Sequence, residues 1–282
     1  MRIKRRLAVV CALAAVTALG AVGVAQAIDA NSTETFTVTP KTALGSAGKP
    51  VKLNVHTHTN YTGSGTKTDR ARLFFDKNIL FNQSVVPKCN ASQLSGNLTM
   101  QQAMAQCGTK LIGTGTAKAN ASAPGDTQAC VLAFNRNPNG ILLFTRVFLT
   151  GQTANCATPA SNGGGFTSIL LQAPLATNPA STTPGGALTA AYYQGGKWLD
   201  FNNITSVASL PLSDFNVTVG KGAPGTNLTG TKANYIKAKC TSRAGLGSPA
   251  KKWVMRTIFK YTTGSPTEQV VNSKYPSTGG CT

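Results

Sequence analysis

Val51-Lys52-Leu53-Asn54-Val55-His56 sets apolar side chains on odd positions and polar ones on even positions. Successive side chains of a strand point to opposite faces, so this stretch builds a strand with one face buried and one wet. Working outward, alternation or short apolar runs recur at 71–75, 111–119, 130–134, 141–149, 166–172, 187–193, 197–201, 215–219, 235–240 and 253–261, with Gly, Pro, Asn and Ser between them. Strands of that number predict an all-β chain folded as a two-sheet antiparallel β-sandwich, with jelly-roll and Ig-like topologies both open. One short helix is expected where Thr99 and Gln102 form a T-x-x-Q capping pattern ahead of Ala103, Met104 and Ala105. Its expected place is one end of the sandwich. The segments 158–165 and 176–186, rich in Gly, Pro, Ser, Thr and Asn, read as loops.

Composition agrees with this reading. Hydrophobic residues make up 41% of the 282, enough for a packed core, while only 12% are charged and the polar surface is left to Ser, Thr, Asn and Gln. β-Branched and turn-forming residues of this kind favour strands and loops over helices.

The chain begins Met1-Arg2-Ile3-Lys4-Arg5-Arg6, continues through an apolar run to Ala25 and reaches Ala25-Gln26-Ala27. A basic start, an apolar middle and a small-x-small exit form an export signal, so residues 1–27 are expected to be cleaved and 28–282 to form a single domain. An uncleaved anchor is the alternative for a run of this length. The expected location is extracellular or at the cell envelope. Six cysteines follow the signal: Cys89, Cys107, Cys130, Cys156, Cys240 and Cys281. An even number in an exported chain implies disulfides. Their spread favours neighbours, Cys89 with Cys107, Cys130 with Cys156 and Cys240 with Cys281. No C-x-x-C spacing points to a metal.

Several of these elements together resemble a group of secreted proteins from high-GC actinobacteria. They are Val51-Lys52-Leu53-Asn54-Val55, Leu73-Phe74-Phe75, Val86-Pro87-Lys88-Cys89 and Ile112-Gly113-Thr114-Gly115-Thr116-Ala117. The second half adds Leu210-Pro211-Leu212, Phe215-Asn216-Val217-Thr218-Val219, Cys240, Lys252-Trp253 and Phe259-Lys260-Tyr261-Thr262. The resemblance implies an exported β-sandwich without an assigned activity and carries over no catalytic residue. Cys130, Cys156 and the two histidines depart from the group's pattern.

Catalytic chemistry has few residues to draw on. His56 and His58, at i and i+2, share a strand face and could both reach one metal ion, but a third ligand would have to come from elsewhere. The eight carboxylates include no obvious pair for glycoside hydrolysis, with Asp69 and Asp76 flanking one strand and Asp200 and Asp214 another. No G-x-S-x-G elbow and no phosphate-binding glycine motif occur. No cofactor is expected.

Charge is the stronger signal. The formal charge is +19, and loss of Arg2, Lys4, Arg5 and Arg6 with the signal leaves 23 basic against eight acidic side chains, +15. No acid occurs between Asp214 and Glu268. Alternation puts Lys252, Arg256 and Lys260 on one face of their strand and Trp253, Met255, Phe259 and Tyr261 on the other, while Lys237 and Lys239 share a face of theirs. If the two strands lie in one sheet, these cations form a ladder for the phosphate, carboxylate or sulfate groups of a polymer. The sequence therefore predicts a non-enzymatic, envelope-associated protein that binds anionic surface polymers, with extracellular nucleic acid a weaker candidate because no stacking platform is evident. Two alternatives stand beside it: a lyase acting on an anionic glycan, with His56, His58 and Tyr61 as first suspects, and a structural envelope protein without a discrete ligand.

Overall fold

A computed structural model describes residues 29–40, 47–62, 65–119, 127–149, 152, 154–178, 193, 195–204, 211–239, 252–264 and 267–276. The proposed signal, the pair Cys240 and Cys281, and nearly all of the expected strand 187–193 lie outside them. Among the described residues the strands are β1 (Ala30–Thr39), β2 (Lys49–Pro50), β3 (Lys52–Tyr61), β4 (Thr68–Phe75), β5 (Ile79–Phe81), β6 (Leu111–Ala119) and β7 (Thr127–Arg136). They continue with β8 (Gly140–Phe148), β9 (Thr167–Thr177), β10 (Lys197–Phe201), β11 (Leu212–Gly220), β12 (Ile236–Ala238), β13 (Lys252–Tyr261) and β14 (Glu268–Pro276). One α-helix, α1 (Met100–Cys107), precedes β6.

The described residues are mostly strand with one short helix, α1, as expected, but a two-sheet sandwich is not confirmed by the strand pairing. Eleven strands form one continuous antiparallel sheet in the order β1-β3-β11-β6-β7-β8-β9-β10-β4-β13-β14, and β2-β12-β5 make a small second sheet. The large sheet curls until its two edges meet, giving a nearly closed barrel. Periodicity fixes which side chains face inward; it does not say how many strands pair before the sheet turns over.

The wall opposite the meeting edges is built from β7 and β8, whose two faces are both buried. Val131, Ala133, Ile141 and Leu143 join the interior core, whereas Leu132, Phe134, Leu142 and Phe144 face outward into a second cluster under Met100 and Ala103 of α1. The helix is capped as its sequence predicts: the Gln102 backbone N–H donates to the Thr99 hydroxyl and the Gln102 side chain accepts from the Thr99 N–H. It covers the outside of this wall, however, and does not plug an end, because the outward faces of β7 and β8 are too apolar to meet water. Two cysteine pairs at disulfide distance pin the same region, Cys89 with Cys107 (Cα–Cα 5.7 Å) and Cys130 with Cys156 (5.1 Å). The loop 158–165 lies beside the helix, held by the buried Arg146, whose guanidinium donates to the Gly164 and Gly165 carbonyls at 3.0 and 2.5 Å. Gly165 has φ +100°, and a Cβ there would stand 2.5 Å from the Arg146 side chain, so glycine permits both the turn and the contact.

The edges meet differently. On β1 every second residue is buried, and the inward set includes Ser32 and Glu34 as well as Phe36 and Val38. Gln269 of β14 satisfies the edge backbone: its side-chain oxygen accepts from the Ser32 N–H (2.7 Å) and its amide donates to the Ser32 carbonyl (3.1 Å). The Tyr261 hydroxyl bonds both Ser32 Oγ and Gln269. Glu34 accepts from the hydroxyls of Thr257 and Ser273, and burial pushes its carboxyl up to about 7 despite these two bonds.

The small sheet closes one end of the barrel. Ile79, Ile236 and Ala238 belong to the same core as the barrel interior. The segment that follows β5 is tied to β7 by the buried Asn135, whose amide donates to the Gln83 and Val86 carbonyls.

Candidate functional site: a basic end and an apolar interior

The predicted alternation on β13 holds. Trp253, Met255, Thr257, Phe259 and Tyr261 face inward and are buried, while Val254, Arg256, Ile258 and Lys260 face the outside of the barrel. That outer face is not an open cationic ladder. Arg256 is only 4% exposed; its Nε donates to Asn272 Oδ1 at 2.8 Å and its guanidinium lies 5.9 Å from the Tyr193 ring centre. Around it Phe74, Tyr193, Val254 and Ile258 form an apolar cluster, with Trp198 stacked on Phe74. The neighbouring cations are paired, Arg70 with Asp200 through two bonds (2.8 and 2.5 Å) and Arg72 with Glu268 (3.2 Å). Lys260 is exposed at the far end of the strand, opposite Glu268.

Lys237 and Lys239 do not join them. β12 pairs with β2 and β5, so Lys237 sits opposite Pro50 and Leu80 in the closing sheet and shares no ladder with β13. The structure places these two lysines in another group. Because neighbouring strands are antiparallel, each connection lies at one of the two ends, and Lys49, Lys52, Lys77, Lys88, Lys110, Lys197, Lys221, Lys232, Lys237 and Lys239 all fall at the closed end. The backbone of Lys252 starts β13 there too. Among the described residues the one acid at this end is Asp76, fully buried, whose carboxylate accepts from the Asn78 and Val254 N–H groups. Lys67, Lys118 and Lys260 are at the opposite end, together with Asp29, Asp69, Asp214 and Glu268. The charge is thus divided along the barrel axis, which linear spacing could not show because seven connections contribute to it.

The suspects for proton transfer are not assembled. His56 Nε2 and His58 Nδ1 both approach Asp214 Oδ2, at 3.1 and 3.4 Å, on the outer face of β3 and β11, and His58 Nε2 reaches Asn60. Tyr61 belongs to the opposite face. Its hydroxyl donates to the Leu212 carbonyl at 2.9 Å and bonds Thr68, and burial raises its pKa. Among the described residues no set of three or more His, Cys, Asp or Glu side chains is arranged to hold a metal ion. No described helix is long and apolar enough to cross a membrane.

Sequence reasoning missed the barrel interior. A cavity of about 100 Å³ runs between the inward faces of β3, β4, β8, β10 and β11, lined by Leu53, Val55 and Thr57, by Leu73 and Phe75, by Ile141 and Leu143, by Leu199 and Phe201, and by Phe215 and Val217. Its polar lining consists of Thr57, Thr59 and Thr68, and no ionisable group takes part. The sequence signal was the odd-numbered apolar set of 51–55 and 215–219, legible as core; that the core leaves a void depends on the curvature of the closed sheet. A register shift between Leu212 and Asp214 matters here. It allows Leu212 and Phe215, three residues apart, to face the same interior, which an unbroken strand forbids.

Compared with known protein families, curated proteins and solved structures, the chain matches none.

Proposed function

We propose that the protein is exported, works non-enzymatically at the cell envelope, and binds anionic surface polymers through the lysines of its closed end, Lys237 and Lys239 among them. One observation carries this reading: ten lysines gather where the one described acid, Asp76, is buried and hydrogen-bonded. A field of one sign concentrated at one end of a compact body attracts polyanions and orients them. The basic amino terminus with its small-residue exit, and the resemblance to secreted actinobacterial proteins, support export. Two cysteine pairs at disulfide distance are compatible with an oxidising medium.

In this reading Arg256 holds the outer cluster together and touches no polymer, and Lys260 at the other end contributes little. Co-sedimentation or biolayer binding to polygalacturonate, dextran sulfate and polyphosphate, with neutral dextran as control, tests it. Binding to the anionic chains should fall steeply between low and high salt. The triple variant Lys221→Glu, Lys237→Glu, Lys239→Glu should lose most of it, whereas Lys67→Glu, Lys118→Glu, Lys260→Glu should lose little. Equal loss in the two triples would reduce the charge to a general solubility feature, and binding to neutral dextran would end the electrostatic reading.

A further inference from the structure

The barrel interior is a site that the polymer reading does not use. Four successive inward positions of β3, Leu53, Val55, Thr57 and Thr59, line the cavity, so it extends about 20 Å along the strand at roughly 3.3 Å per residue. With a volume of only about 100 Å³ over that length, it is long and thin. One end is stopped by the tilted rings of Phe75 and Phe81, 5.0 Å apart, where the closing sheet begins. The hydroxyls of Thr57, Thr59 and Thr68 all lie toward the other end. Between the two ends the lining is hydrocarbon throughout.

The burial pattern singles out the same surface. Ala71, Leu73, Phe81, Leu212 and Phe215 pack against the interior core and line the cavity, yet are only partly buried. Apolar side chains that turn inward and still keep open surface leave contacts unmade, and an apolar void of this kind is dry or takes an apolar guest. A fused ring system is too wide for it. A charged headgroup would find no counter-ion among the lining residues and must stay at the hydroxyl end.

We propose that the barrel is a binding site for one unbranched hydrocarbon chain, the tail of a lipid, inserted tail first toward Phe75 and Phe81 with its polar head at Thr57, Thr59 and Thr68. The chain displaces no hydrogen bond on entry and restores the missing contacts of the lining, so the occupied protein unfolds at higher temperature.

The test uses the purified full chain and the unbranched fluorescent polyene β-parinaric acid, competed with decanol, decanoate and 1-adamantanol. Probe binding at one equivalent is expected, displaced by decanol and decanoate, with the compact cage of adamantanol at least tenfold weaker. Ala71→Phe fills the cavity midway and Thr57→Phe fills it near the hydroxyl end; each should weaken probe binding at least tenfold, and Thr35→Phe, on the exposed face of β1, should not. Thermal melts report whether each variant is folded, and the two filling positions are on different strands, so failure of one to fold leaves the other. Absence of probe binding by the folded wild-type chain overturns the proposal, as does equal binding by the filled variants or equal competition by adamantanol. The lysine triple should bind the probe normally, which separates failure of this site from failure of the polymer reading.

Discussion

The β7–β8 wall and the β1–β14 seam close the same sheet with opposite chemistry. At the wall both faces are apolar and a capped helix with two cysteine pairs covers the outer one. At the seam the inward positions include hydroxyls, an amide and a carboxyl beside Phe36 and Val38, and the edge backbone of Ser32 is satisfied by a side chain in place of another strand. The wall draws on packing, which is insensitive to pH and costly to hollow out. The seam draws on directional bonds, which protect an exposed edge from foreign strands but are conditional on protonation.

The largest expected effect tests the wall. Phe144 is fully buried in the outer cluster, so Phe144→Ala should destabilise the protein by about 3–5 kcal/mol, read as a lowered denaturant midpoint. A loss well under 1 kcal/mol would mean that the helix closes down on the void and that the wall is a loose cover.

The seam's counterpart is a pH dependence. Glu34 titrates near 7 when folded against an ordinary 4.5. Below about 4.5 both folded and unfolded chains hold the proton; between 4.5 and 7 the unfolded chain releases it and the folded one retains it, so stability falls as pH rises and levels off above 7. The full drop is roughly 3 kcal/mol. Glu34→Gln, which cannot ionise, should remove this fall, leaving wild type and variant most different at pH 8. Parallel stability curves for the two proteins from pH 4.5 to 8 would show that Glu34 is charged or hydrated in the fold and that the seam is not conditional.

The same contrast explains what the sequence made legible. The wall and its neighbours β3, β6 and β11 announce themselves, because Leu53 and Val55, Val131 and Ala133, Val217 and Val219 are apolar wherever they face in. The capping residues of α1 and both described cysteine pairs were legible for the same reason: each depends on residues close in sequence. β1 and β14 went unread because their inward positions carry Ser32, Glu34, Gln269 and Ser273, which break the apolar alternation. A signal was present in β1, where Glu34 shares parity with Phe36 and Val38. The expected ladder was illegible for a related reason. Lys237 and Lys239 share parity in the sequence, but the sheet of β12 is set by pairing with β2 and β5, far away in sequence. Arg256 read as outward, which it is, while its cover, Tyr193, is the one described residue of the expected strand 187–193, and alternation along single strands does not say which segment packs on which.

Two smaller effects sharpen the comparison. Gln269→Ala should cost about 2 kcal/mol, because it leaves the buried Ser32 N–H and the Tyr261 hydroxyl each short of a partner. At the wall, Thr99→Ala removes the hydroxyl that accepts from the Gln102 N–H and should cost about 1 kcal/mol. The two differ in more than size. The Thr99 cap is local to α1, so its loss should raise amide exchange in the helix and leave the β1 amides unchanged. Gln269 joins two strands that share no backbone ladder, so its loss should expose β1 to exchange along its length. Exchange confined to Ser32 in Gln269→Ala would mean that Glu34 and the core beneath Phe36 hold the seam without the amide, and that the closing bond is a local patch on an edge already sealed.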